Sequence, residues 1–154
     1  MNLVGLGRAV CITAMLAGCA ADDGAAIDAL RPQLLAVEAS PLADADAAVC
    51  LARAIVNTIE IDSSTSLDEV VFSDEGLVVI GQAAASCADT ERVIIEVLSD
   101  VYEPDHASCI EEHVSDTFTN RTIGAVVVGV DPIAYEGFFE AVADTAASCP
   151  EFDD

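Results

Sequence analysis

The stretch Val70-Val71-Phe72-Ser73-Asp74-Glu75-Gly76-Leu77-Val78-Val79-Ile80 admits two readings, and the fold class turns on the choice between them. Taken alone, its two β-branched runs flank Ser73–Gly76 as strands flank a turn, which gives a hairpin near 69–80. Taken together with the next few residues, 74 to 86 read as a helix ending in Ala84-Ala85-Ser86-Cys87, a phrase that returns as Ala146-Ala147-Ser148-Cys149. The likeness extends upstream: Glu75-Gly76 matches Glu136-Gly137, and Leu34-Leu35-Ala36-Val37 aligns with Ile94-Ile95-Glu96-Val97. Because Tyr135 to Ser148 reads as a helix, its counterpart is assigned as one too. Two units result, residues 27–87 and 89–149. The expected fold is all-α, two disulfide-stapled three-helix units packed as one acidic domain over 27–154. An α+β fold with the hairpin near 69–80 is the alternative.

Working outward, the first unit has a helical segment from Asp28 to Val37 interrupted by Pro32, and a second opened by Pro41. On the second, Ala48, Leu51, Ala52, Ile55 and Ile59 share one face. In the other unit Ile94, Val97, Leu98 and Val101 form a stripe, and Pro104 opens a helix carrying Ile110, Val114 and Phe118. The last helix places Phe138, Val142, Thr145 and Cys149 on one side, which turns the cysteine onto the apolar face. Ile123 to Val130 is β-branched and bounded by glycines, so it resists the helical reading. Ser63 to Ser66 and Thr119 to Thr122 read as loops.

The first residues have a different logic. A single cation, Arg8, precedes an apolar run from Ala9 to Leu16, too short for a permanent membrane span and suited to an export signal over 1–18. The run closes in Leu16-Ala17-Gly18-Cys19, which resembles the lipobox of bacterial lipoproteins. The resemblance implies cleavage before Cys19 and a thioether-linked diacylglycerol on its sulfur, often with a third acyl chain on its amine. It makes 19–26 a lipidated tether. Two or three acyl chains anchor stably where one binds only marginally. Cleavage at Gly18-Cys19-Ala20-Ala21 to release a soluble protein is the alternative reading of the same residues.

Of six cysteines, Cys11 leaves with the signal and Cys19 takes the lipid, so four remain: Cys50, Cys87, Cys109 and Cys149. An exported chain meets an oxidising compartment, where an even number of cysteines points to disulfides. The duplication favours Cys50 with Cys87 and Cys109 with Cys149, one staple per unit. The rival pairing, Cys87 with Cys109 and Cys50 with Cys149, crosses the units.

Charge bounds the partners. The chain has 28 acidic side chains, five Arg and no Lys, a formal net charge of -23, yet 53% of its residues are hydrophobic. Such a chain can bury a core, so the charge belongs to a folded surface rather than a disordered acidic tail. That surface repels phosphate backbones, and no nucleic-acid partner is expected.

Candidate chemistry is sparse. His106, Cys109 and His113 lie three and four residues apart with Glu112 adjacent, a spacing that suits zinc or copper, but Cys109 is better employed in a disulfide. Asp62, Ser64, Ser66 and Asp68 alternate like calcium-loop ligands, yet the turn glycine is missing and Ser73 stands where Glu should. Ser63, Ser64 and Ser66 have no nameable base or oxyanion hole. Asn120-Arg121-Thr122 fits a glycosylation pattern that a bacterial lipoprotein has no particular reason to use. No catalytic residue, metal site or cofactor is expected. The sequence therefore suggests a non-catalytic envelope protein, anchored through Cys19 on the extracytoplasmic face of a bacterial membrane, with a structural or partner-binding role and a possible protein partner. A binding module for a cation or small ligand is the alternative.

Overall fold

The computed structural model describes residues 9–149 except 39, 43, 60 and 135–136, with side chains from residue 23 onward. The described residues form seven α-helices and no strand: α1 (Ala9–Ala36), α2 (Ala45–Thr58), α3 (Asp74–Cys87), α4 (Val93–Ser99), α5 (Pro104–Glu111), α6 (Asp116–Val128) and α7 (Phe138–Ala146), with a 3-10 turn at Leu67–Glu69. The protein is all-α. The hairpin alternative falls because Ser73 caps a helix: its Oγ accepts from the Gly76 N–H at 3.1 Å, and Asp74 and Glu75 place negative charge in the first turn of α3. Val70–Phe72 is neither helix nor strand and leads into that cap.

Other expectations are corrected. Pro32 sits inside α1 without ending it. Both Pro32 and Asp28, whose carbonyl loses its usual donor, are exposed, so water can satisfy the unbonded oxygen. The second unit holds four helices, since the segment expected to carry Ile110, Val114 and Phe118 together divides at Ser115. The Ser115 Oγ accepts from the Phe118 N–H at 3.2 Å and starts α6. Thr119 to Thr122 is therefore helix rather than loop, and so is Ile123 to Val128. The helix α6 stops at Gly129, whose φ of 78° is left-handed, while the Val130 N–H reaches back to the Ala125 carbonyl at 2.9 Å. Finally, Ala26, expected in the tether, is helical and buried.

One core runs through both units. Leu30 and Leu34 of α1, Leu51 and Ile55 of α2, Ile80 of α3, Leu98 of α4, Ile110 of α5, Val127 of α6 and Val142 of α7 are all sealed from solvent. The expected face of α2 is the buried one at Ala48, Leu51, Ala52 and Ile55, with Ile59 packed against it. Phe138 at the head of α7 lies 5.3 Å from Phe118, centroid to centroid, and joins α7 to α6. The loop after α2 is tied down by Gln33 of α1, whose Oε1 accepts from the Leu67 N–H at 2.8 Å while Nε2 donates to the Thr65 carbonyl at 3.2 Å.

The tightest crossing, α3 on α6, joins one unit to the other. A Cβ built on Gly81 would lie 1.8 Å from the Asn120 carbonyl oxygen, and one on Gly124 would lie 2.0 Å from that of Leu77. Only glycine lets the two backbones approach this closely. Of the Asn120-Arg121-Thr122 pattern, Thr122 is fully buried and Asn120 half-buried, with the Asn120 backbone at this crossing.

Candidate functional site

Both expected disulfides are present. Cys50 and Cys87 join α2 to α3 with a Cα–Cα distance of 5.7 Å, and Cys109 and Cys149 join α5 to the end of α7 at 5.9 Å. Each bond closes within one unit, at sequence separations of 37 and 40. Their surroundings differ. Cys50 is exposed and Cys87 half-buried; Cys149 is buried and Cys109 half-buried.

Beside the second bond lies His113. Among the described residues, Cys109, His113 and Cys149 form the one group that brings three ligand-type atoms within 4.8 Å of each other. The imidazole sits one helical step past Cys109, and its Nδ1 is 2.8 Å from the Cys109 carbonyl oxygen. A carbonyl can only accept, so Nδ1 carries the proton. That bond sets the tautomer and leaves the lone pair on Nε2.

The grouping differs from the one sequence spacing suggests. His106 does not join Cys109 and His113: its Nε2 is 3.1 Å from the Ala146 carbonyl oxygen at the end of α7, and its ring stands edge-on to Tyr102. In the first turn of α5, it is half-buried and fastens α5 to α7. Cys149 takes its place in the group, brought from forty residues away by the disulfide. Glu112, adjacent in sequence, is exposed and outside the group.

The Asp62 loop is closed on itself. The Asp62 carboxylate accepts from the Ser64 hydroxyl at 2.6 Å, the Ser64 N–H at 2.8 Å and the Thr65 hydroxyl at 3.3 Å. These donors, the Ser64 hydroxyl first, hold its pKa below the ordinary aspartate value of 3.8. Asp68 accepts from the Ser66 hydroxyl in the same way. The alternating oxygens are those of a turn satisfying its own polar groups.

Next to this loop a groove of about 540 Å³ is lined mainly by Ile59, Val70, Val71, Phe72 and Val79. Val71 is 96% exposed, and Val79 is exposed beside it. Arg121, largely covered, pairs with Asp74 at the start of α3 at 2.9 Å, and Arg92 approaches Glu96 at 3.7 Å on the open surface. The surface pair contributes little.

No helix among the described residues is long and apolar enough to cross a membrane. Cys19, the expected lipid site, and the export signal at 1–18 lie outside the residues whose side chains are described. Comparison with models of known protein families, with curated proteins and with solved structures finds no match.

The charge has a consequence for stability. Folding crowds an excess of carboxylates onto one surface, and mobile ions screen their repulsion over a Debye length of about 10 Å at 0.1 M salt. The melting temperature should therefore rise between low salt and 0.5 M NaCl, with Mg2+ or Ca2+ acting at lower concentration. A melting temperature unchanged by salt would show that the repulsion does not weigh on folding.

Proposed function

We propose that the chain is a lipid-anchored protein of a bacterial cell envelope, held at the extracytoplasmic face through acylated Cys19, and that its helical domain has a structural or partner-binding role rather than a catalytic one. The observation that carries this reading is Leu16-Ala17-Gly18-Cys19 at the end of an apolar run that starts after a single Arg. Two disulfides support an oxidising compartment, since such bonds are uncommon where thiols are kept reduced. The buried Ala26 supports close attachment: it follows Cys19 by seven positions, a span of at most about 25 Å even when fully extended. The domain would sit at the membrane surface rather than at the end of a long stalk. The exposed apolar groove beside Val71 is of the kind that serves protein partners.

Fractionation of cells expressing the full chain tests the reading. The protein should be in the membrane fraction, resist a high-salt wash and dissolve in detergent. Cys19→Ala should appear as a soluble or unprocessed form. A wild-type chain released into the soluble fraction would count against the anchor.

A further inference from the structure

We propose that the Cys109–Cys149 disulfide and His113 form a redox-gated site for a thiophilic d10 cation such as Zn2+, closed while the disulfide is intact and opened by its reduction. Two sulfurs and an imidazole nitrogen already lie within 4.8 Å of one another. A tetrahedral centre with Zn–S near 2.3 Å and Zn–N near 2.0 Å spaces two sulfurs about 3.7 Å apart and a sulfur and a nitrogen about 3.5 Å apart. Opening the S–S bond to that spacing is one movement required, and bringing Nε2 of the exposed His113 ring onto the ion is the other. The Nδ1–H of His113 is donated to the Cys109 carbonyl, which orients the ring and leaves Nε2 as the available lone pair. Histidines that ligate metals are commonly fixed through their other ring nitrogen in this way. A solvent molecule would complete the coordination, because His113 is exposed. The Cys50–Cys87 bond is not in any such group among the described residues.

The chemistry balances with a dithiol as reductant. Two electrons pass from the dithiol to the S–S bond, the dithiol becomes a cyclic disulfide, and its two protons end on the Cys109 and Cys149 sulfurs. Zn2+ then displaces both protons as the two thiolates and the neutral imidazole bind it.

The test uses the full chain, reduced with excess dithiol and desalted without oxygen, then titrated with Zn2+ against a chromophoric chelator and separately with Co2+. The reduced chain should bind one ion at least 100-fold more tightly than the oxidised chain, and Co2+ should give thiolate charge-transfer bands. His113→Ala, an exposed change, should weaken binding at least 10-fold and alter the Co2+ spectrum. Cys50→Ala/Cys87→Ala should keep both properties; if that variant does not fold, the His113→Ala comparison decides alone. Equal affinity of reduced and oxidised chains would overturn the proposal, as would a His113→Ala variant that binds like the wild type. A reduced chain that loses its helical signal and does not regain it with Zn2+ would do so too.

Discussion

Gly124→Ala should lower the melting temperature by about 10 °C. Two effects oppose each other at this position. Alanine is the better helix former, by about 1 kcal/mol within a helix interior. Against this, the new methyl carbon would sit 2.0 Å from the Leu77 carbonyl oxygen and 3.1 Å from the Gly81 nitrogen. These are backbone atoms, so no side chain can swing aside, and α3 and α6 must separate along a crossing that joins the two units. Overpacking of this kind costs about 1–3 kcal/mol and occasionally more. Because the whole crossing has to move, the net loss should reach about 3 kcal/mol, which for a domain of this length is roughly 10 °C. Gly81→Ala should behave alike, since its added carbon meets the Asn120 carbonyl. Gly24→Ala is the contrast, a helical glycine with nothing within 4 Å, and it should be neutral or mildly stabilising. Thermal melts of the three variants check the ordering; a Gly124→Ala variant as stable as the wild type would mean the helices do not cross at these glycines.

Removing either disulfide should have an effect of similar or larger size. Loops of 37 and 40 residues restrict the unfolded chain by about 4 kcal/mol each in the loop-entropy model. Cys50→Ala/Cys87→Ala and Cys109→Ala/Cys149→Ala should therefore lose comparable stability. Losing both bonds removes about 8 kcal/mol, a large share of the roughly 5–15 kcal/mol typical of a domain, and should leave the metal-free chain largely unfolded at 37 °C, so that any refolding of the reduced chain by Zn2+ comes from the ion. The two single losses differ in one respect. Cys149 and the His106 bond to Ala146 hold the end of α7 against α5, so the second variant should expose α7 amides to hydrogen exchange before the rest unfolds. Denaturant melts and exchange protection measure both effects. Non-reducing peptide mapping checks the pairing itself, and a peptide linking Cys87 to Cys109 would contradict it.

Where the sequence was readable and where it was not has a physical basis. The faces of α2 and α7 were legible because one side of each is buried and the other wet, so the apolar positions recur at helical spacing. In α6 almost every residue from Thr122 to Val128 is buried. A helix enclosed on most sides shows no stripe, and its β-branched residues then resemble a buried strand. The punctuation was nonetheless present, Ser115 before the helix and Gly129 after it. For α3, β-propensity pointed one way and the Ser73 cap with its acidic first turn the other; the repeat of the cysteine phrase decided correctly. The disulfide pairing was legible from the same repeat. The grouping of His113 with Cys149 was not, because it exists only once the bond brings the end of α7 onto α5. The close crossing at Gly81 and Gly124 was equally silent, since a glycine in sequence does not say what backbone passes above it.

The proposed anchoring depends on Cys19. Intact-mass and N-terminal peptide analysis of the protein extracted from its own membranes tests it directly. A chain beginning at Cys19 and carrying the mass of a diacylglycerol, with or without a further acyl chain, is the predicted result. A mature chain beginning at Asp22 with no added mass would contradict it.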